Sequence, residues 1–162
     1  MSEYRNESMA VANKIIKDYS LEGHPEGGFF SEVYTSETVI DSGNKRPAAG
    51  SIFFLLPPGA ISHFHQIDCE EIWYYHAGCG MKLRLISSDG EMQIKKLGMN
   101  PADDEMPMVV IPKGAIFAAE NLDADGYTFV SCVTAPKFRY EGFRLVPYDE
   151  LKAYGVEPRL CI

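Results

Sequence analysis

The feature that most constrains this chain is its rhythm. After residue 28, short runs rich in β-branched and aromatic residues recur, each closed by turn-forming residues. They are roughly Phe29–Thr35, Ala49–Leu56, Ile61–Gln66, Glu71–His76, Met81–Ser87, Glu91–Leu97, Met108–Ile111, Ala115–Ala119, Tyr127–Thr134 and Phe143–Leu145. The stops between them are Asp41-Ser42-Gly43-Asn44, Pro57-Pro58-Gly59, Ser88-Asp89-Gly90, Asn100-Pro101 and Asp123-Ala124-Asp125-Gly126. Strands this many and this short, spaced by turns, predict an all-β antiparallel sandwich or barrel. Only the ends read differently. Val11 or Ala12, Ile15 and Tyr19 recur at helical spacing, predicting a helix over about 8–19 with Ser8 as its cap. Pro147 and Gly155 frame a second short helix, about 147–154. The barrel itself spans about 28–146, and the 162 residues fit a single domain.

Charge then excludes whole classes of partner. A net charge of −8 is the wrong sign for neutralising phosphates, so no nucleic-acid partner is expected. No apolar run approaches the ~20 residues of a membrane span, and the first residues lack the apolar stretch of a secretion signal. Cys69, Cys79, Cys132 and Cys161 form no Cys-x-x-Cys pair, as expected of free thiols in the cytoplasm.

Chemistry concentrates in Gly59-Ala60-Ile61-Ser62-His63-Phe64-His65 and in Glu70-Glu71-Ile72-Trp73-Tyr74-Tyr75. On an extended strand His63 and His65 project from one face. Glu71, Trp73 and Tyr75 share a face of the next strand, while Ile72, Tyr74 and His76 take the other. Two histidines and a carboxylate can hold a divalent metal, with iron, manganese and nickel the candidates at His63, His65 and one of Glu70 or Glu71; Glu71, which shares its face with Trp73 and Tyr75, is favoured. They can equally run acid–base chemistry, His65 paired with Glu71 as the base and a tyrosine (Tyr34, Tyr75 or Tyr127) as the acid. Glu32 alternates with Phe30 and Tyr34, and on an inward face it needs a partner such as Arg84. In His24-Pro25-Glu26-Gly27-Gly28 the glycines mark a turn that could set Glu26 at the barrel mouth.

Gly59-x3-His63-x-His65 with Glu71-x6-Gly78 resembles the first motif of the cupin superfamily. Pro112-Lys113-Gly114 through Asn121 resembles the second, with Phe117 in the place of its histidine. The blocks Leu21–Glu32, Ser51–Leu56, Glu71-Ile72-Trp73, Pro112-Lys113-Gly114 and Ala135–Phe138 are similar to one small cupin subfamily of uncharacterised proteins, which is compared structurally with deoxysugar-nucleotide epimerases and seed-storage cupins. The resemblance implies a double-stranded β-helix, or cupin jelly roll, with Phe117 facing its cavity. Ser31 and Gln66 stand where an arginine is common, which argues against a phosphorylated ligand.

The expected ligand set is therefore His65, Glu71 and Tyr75 as catalytic groups, with Glu32, Trp73, Arg84 and Phe117 binding a small molecule. The expected activity is isomerisation or epimerisation of a carbohydrate-like substrate. A metal-dependent oxygenase and a non-catalytic ligand sensor or storage protein are the alternatives. Antiparallel sandwiches have exposed edges to cover, so a homodimer is expected.

Overall fold

A computed structural model describes residues 2–41, 43 and 45–162 of the chain. Two of the four residues in the expected turn Asp41-Ser42-Gly43-Asn44, Ser42 and Asn44, lie outside the described residues.

The helix α1 spans Glu3–Asp18, starting five residues before the point expected from sequence. Ser2, not Ser8, caps it by accepting a 3.1 Å hydrogen bond from the Arg5 N–H. A tertiary contact explains the early start: Ser2 Oγ and Arg5 Nη1 both reach Asp125, at 2.7 and 2.9 Å, tying the first turn to a distant loop. Ser8 is instead a buried helix-interior residue.

The strands follow in chain order: β1 (Glu22–Gly23), β2 (Phe29–Thr35), β3 (Val39–Asp41), β4 (Lys45–Pro47), β5 (Gly50–Leu56), β6 (Ile61–Gln66) and β7 (Glu70–Gly78). After them come β8 (Met81–Ile86), β9 (Met92–Leu97), β10 (Glu105–Met106), β11 (Met108–Ile111), β12 (Ile116–Asn121), β13 (Thr128–Ala135) and β14 (Arg144–Leu145). The chain then makes α2 (Tyr148–Leu151), bounded by Pro147 and, past a further turn of 3-10 helix, by Gly155. None of the described helices is long and apolar enough to cross a membrane.

The strands form two six-stranded sheets, ordered β1-β2-β5-β13-β7-β11 and β10-β9-β8-β12-β6-β14, and a separate β3-β4 hairpin. Almost every pairing is antiparallel, the two-residue β9–β10 contact being parallel. The main core lies between the sheets. Phe54, Trp73 and Val130 from one meet Met81, Leu83, Leu97 and Phe117 from the other. Each sheet also has a covered outer face. Ala12, Ile15 and Ile16 of α1 lie over Leu55 and Phe129, and the C-terminal segment lays Leu151, Val156 and Leu160 on Phe64, Ile86 and Ala118. Burying these apolar side chains contributes on the order of 2 kcal/mol each.

One irregularity decides the site. Between β6 and β12 the register runs Phe117↔His65 and then Ala119↔Ser62, so three steps on β6 face two on β12. This is a β-bulge at His63-Phe64. It breaks the strand's alternation, turning both Ser62 and His65 inward while Phe64 lies under the C-terminal segment.

Candidate functional site

A cavity of about 320 Å³ opens at one end of the sandwich, its walls drawn from β2, β5, β6, β7, β13 and the turn before β2. Phe30, Phe54, Trp73, Phe138 and Tyr140 supply aromatic surface; Glu26, His24, His65 and Glu71 are the buried or half-buried acid and imidazole groups of the wall, with Glu22, Glu32, Cys132 and Lys137 also lining it.

Glu26 is the centre of the polar wall. The turn that carries it is possible only with glycine: a Cβ on Gly27 (φ +107°) would sit 2.0 Å from the Ile61 carbonyl oxygen, and Gly28 (φ +77°) is equally enclosed. With the turn pressed onto β6, the Glu26 carbonyl accepts from His63 N–H at 2.8 Å and from His63 Nδ1–H at 2.7 Å. Its carboxyl accepts from Ser62 Oγ at 2.7 Å and lies 3.0 Å from His65 Nε2 and 3.4 Å from His24 Nδ1.

The proton on this pair can be placed by elimination. His65 Nδ1 lies 2.7 Å from the His63 carbonyl, which can only accept, so Nδ1 carries hydrogen. The imidazole is neutral, because burial lowers its pKa from 6.5 to about 4. Nε2 is therefore a bare lone pair, and the proton in the Nε2–Oε2 contact belongs to Glu26. Burial also raises the Glu26 carboxyl above its ordinary value, against the smaller pull of His24 and Ser62. The two form a neutral carboxylic acid–imidazole pair. His24, also desolvated and shifted down, is likewise neutral.

Glu71 stands on the same cavity wall, and burial pushes its carboxyl up to about 8, with the nearness of Glu26 adding to the shift. It too is a carboxylic acid at neutral pH. The Trp73 indole N–H and the Cys132 thiol are close enough to ease its charge a little. Among the described residues Trp73 Nε1, in a residue 1% exposed, has no acceptor in full hydrogen-bonding geometry, the Glu71 carboxyl being the group beside it. Glu70, the neighbouring alternative, is exposed.

The residues expected from sequence separate into two groups. His65, Glu71, Trp73 and Glu32 line the cavity. Glu32 is at the mouth rather than buried, where its carboxylate accepts from Lys137 Nζ at 2.8 Å, so its partner is Lys137 and not Arg84. Arg84 lies on the outer face of the opposite sheet, donating to Glu120 at 2.6 Å; strand parity on β8 sends Leu83 and Leu85 inward and Arg84 out. Phe117 does not reach the cavity, but its ring centroid lies 4.0 Å from that of His65 and supports the imidazole from behind. Tyr75 spends its hydroxyl on the Gly78 carbonyl at 2.7 Å. Neither Tyr75 nor Tyr34 nor Tyr127 lines the cavity; Tyr140 does.

The set His63, His65 and Glu71 is not assembled as a metal site. The bulge leaves His63 off the cavity wall with Nδ1 held by the Glu26 carbonyl, and both nitrogens of His65 are already engaged. Among the described residues no group of three or more His, Cys, Asp or Glu side chains has metal-binding geometry. Iron, manganese or nickel does not fit these donors as they stand. The carboxylate that orients His65 is Glu26, which the sequence reading set at the barrel mouth but did not pair with His65.

Two facing sheets with a ligand-sized cavity at one end of the sandwich define the cupin class. Within that class the family described as Cupin superfamily (DUF985) matches residues 13–146, and the chain belongs to it. It is 30% identical over 156 residues to an uncharacterised protein of Saccharomyces cerevisiae, covering 86% of this chain and 77% of that one. A solved Shewanella oneidensis protein is similar at 36% identity and TM-score 0.85, covering 93% of this chain and 96% of that one. A hypothetical protein from Leishmania major follows at 30% identity and TM-score 0.82, with the same coverages. Oxalate decarboxylase from Bacillus subtilis shares the fold alone, at 19% identity and TM-score 0.58 over 89% of this chain and 36% of that one.

Proposed function

We propose that the cavity binds a small, uncharged, oxygen-rich molecule of carbohydrate type and isomerises it by moving a proton next to a carbonyl. The observation that carries this reading is the joint presence, in one cavity, of the Glu26–His65 pair and a separately protonated Glu71. Titratable groups whose environments push them apart are what acid–base chemistry at neutral pH requires.

In the step proposed, the substrate C–H bond breaks and its proton enters the Glu26 carboxyl while the proton already there passes to His65 Nε2. The C–H electron pair forms a carbon–carbon double bond, and the carbonyl π pair moves to oxygen, which takes the Glu71 proton. The Glu26–His65 pair then returns its extra proton to the former carbonyl carbon. The neighbouring hydroxyl gives its proton to the ionised Glu71 and becomes the new carbonyl, which restores both groups and completes the isomerisation. Among the described residues Lys137 is the one lysine or arginine lining the cavity, and Glu32 and Thr35 already occupy it. That supports an uncharged substrate over a phosphorylated one.

The test is exchange in deuterium oxide. Aldoses and ketoses incubated with the protein should gain deuterium beside the carbonyl, followed by NMR, and His65→Ala should slow this by about 10²–10⁴-fold. Absence of exchange across such a panel would overturn the reading.

As a second element we propose a homodimer. Tyr74, Met108 and Val110 leave an apolar stripe on the outer face of the first sheet at its β11 edge, where 38%, 41% and 39% of each is exposed. Light scattering should give twice the mass of one chain, and a monomer mass would reject it.

A further inference from the structure

We propose that His24 is a ligand-binding residue whose Nε2–H donates to the hydroxyl oxygen on the carbon that loses its proton, so that the cavity selects α-hydroxycarbonyl compounds. This rests on the proton-transfer reading above and assigns a partner to the substrate oxygen that the first step of that reading leaves free.

The hydrogen on this imidazole is placed by its neighbours. The Glu26 backbone N–H donates to His24 Nδ1 at 3.4 Å, so Nδ1 presents its lone pair and the ring hydrogen is on Nε2. Glu26 Oε2 lies 3.4 Å from the same nitrogen, but it carries the proton shared with His65 and is a poor acceptor for a second N–H. Among the described residues nothing accepts from Nε2, yet this atom is not sealed. The buried polar atoms that lack both a partner and open surface are Ser31 Oγ, Trp73 Nε1 and Asn121 Oδ1. The His24 side chain is otherwise enclosed, at 7% exposure, so Nε2 opens where the residue lines the cavity. A donor this far from solvent and without a partner calls for a ligand oxygen.

The donor is also held in place. The His24 N–H donates to the Gly28 carbonyl and the His24 carbonyl accepts from the Gly27 N–H, both at 3.0 Å, which locks its backbone into the turn. The ring packs edge-on against Phe30 and Phe143, with centroids 4.8 and 5.8 Å away, and their carbon surfaces offer no acceptor. Fixed groups of this kind lose little freedom when a ligand arrives. Glu26 ties the donor to the chemistry, because His24 and His65 flank the same carboxyl oxygen. A substrate whose C–H faces Glu26 therefore brings an oxygen of that carbon or the next one to His24. Glu71 takes the carbonyl oxygen in the reading above, which leaves the hydroxyl. Accepting from His24 turns the hydroxyl's own hydrogen away, free to pass to Glu71 when the new carbonyl forms. A carbonyl compound without this hydroxyl would cover the donor and leave it unpaired, which is a strong basis for rejecting it.

The chain has 4 histidines, so long-range proton–nitrogen NMR of protein labelled at histidine resolves each ring in the parent chain. At neutral pH the His24 ring should show hydrogen on Nε2 and a bare Nδ1. Ribose and 2-deoxyribose differ by the one hydroxyl at issue. Ribose should move the Nε2 signal downfield, as expected for a newly formed hydrogen bond, and 2-deoxyribose should leave it close to its starting place. His24→Phe should bind ribose about tenfold more weakly while its affinity for 2-deoxyribose stays within a few-fold of the parent. His24→Gln keeps a donor and should recover most of the preference for ribose. Hydrogen on Nδ1 instead, no ribose binding, equal shifts from the two sugars, or a His24→Phe variant that still prefers ribose would each overturn the proposal. Deuterium exchange keeps the two readings apart. Sugar binding as described without exchange in any sugar would leave the His24 subsite and remove the isomerase. Exchange that persists in His24→Phe with an unchanged KM would do the reverse.

Discussion

Two glutamates, Glu71 and Glu120, are about equally hidden, at 7% and 9% exposure, yet the protein treats them oppositely. Glu120 sits on the outer face of the second sheet amid Arg84, Arg159 and Lys82, at 2.6, 2.7 and 3.2 Å. Those hydrogen bonds outweigh burial and hold its carboxyl down at about 2. The same cluster clips the C-terminal segment to the sheet through Arg159, beside the apolar contacts of Leu151 and Leu160. Among the described residues no cation lies beside Glu71, and burial instead holds it protonated. A paired, satisfied carboxylate fastens structure. An unpaired one that keeps its proton has capacity left over for a ligand.

Removing each side chain should expose the difference most strongly. Glu120→Ala leaves Arg84 on the sheet without its main partner and should cost about 2 kcal/mol in urea denaturation, a partly exposed network being worth less than a fully buried pair. Glu71→Gln replaces a neutral acid with a neutral amide of like shape and should change stability by less than about 1 kcal/mol at neutral pH, while abolishing deuterium exchange. Equal losses from the two would erase the contrast.

The next effect is in pH. Glu71, raised from 4.5 to about 8, contributes stability that is complete below 4.5 and lost as pH rises through about 8. Glu26, also raised, acts in the same direction. His65, lowered from 6.5 to about 4, contributes stability present above 6.5 and lost as pH falls through about 4. The contributions oppose one another between about 4.5 and 6.5, and above that range the carboxyl groups alone make stability fall. Urea midpoints should therefore decline from pH 6.5 to 8, and Glu71→Gln should flatten the decline. A parent curve without slope over this interval would contradict the assignment. The smallest effect belongs to the mouth: Glu32→Ala breaks an exposed pair with Lys137 and should shift stability by no more than about 0.5 kcal/mol.

Most of the strand positions along the chain were legible because turn residues and alternating apolar positions are local signals, whereas their order in the two sheets was not read. Glu71 and Trp73 were placed on one wall for the same reason, but Glu70 remained an alternative to Glu71 until the structure showed it exposed. The site failed to be legible where geometry depends on two segments at once. His63 and His65 share a face only on a regular strand, and the bulge against β12 is invisible in the sequence of β6. Glu26 was readable as part of a turn, but not as a group delivered to His65, since that requires knowing where the turn docks. The parity of Glu32 was right through Phe30, yet the register shift between Glu32 and Tyr34 turns the latter out to 54% exposure. The two-residue strands β1 and β10 and the β3–β4 hairpin carried too little pattern to stand out.

The account turns on a carboxylic acid that keeps its proton at neutral pH. Carbon-13 NMR of protein labelled at the glutamate side-chain carboxyl carbons reads this directly. One resonance should titrate with a midpoint near pH 8 and vanish in Glu71→Gln. If every glutamate has finished titrating by about pH 6, Glu71 is an ordinary carboxylate and the donor role given to it is wrong.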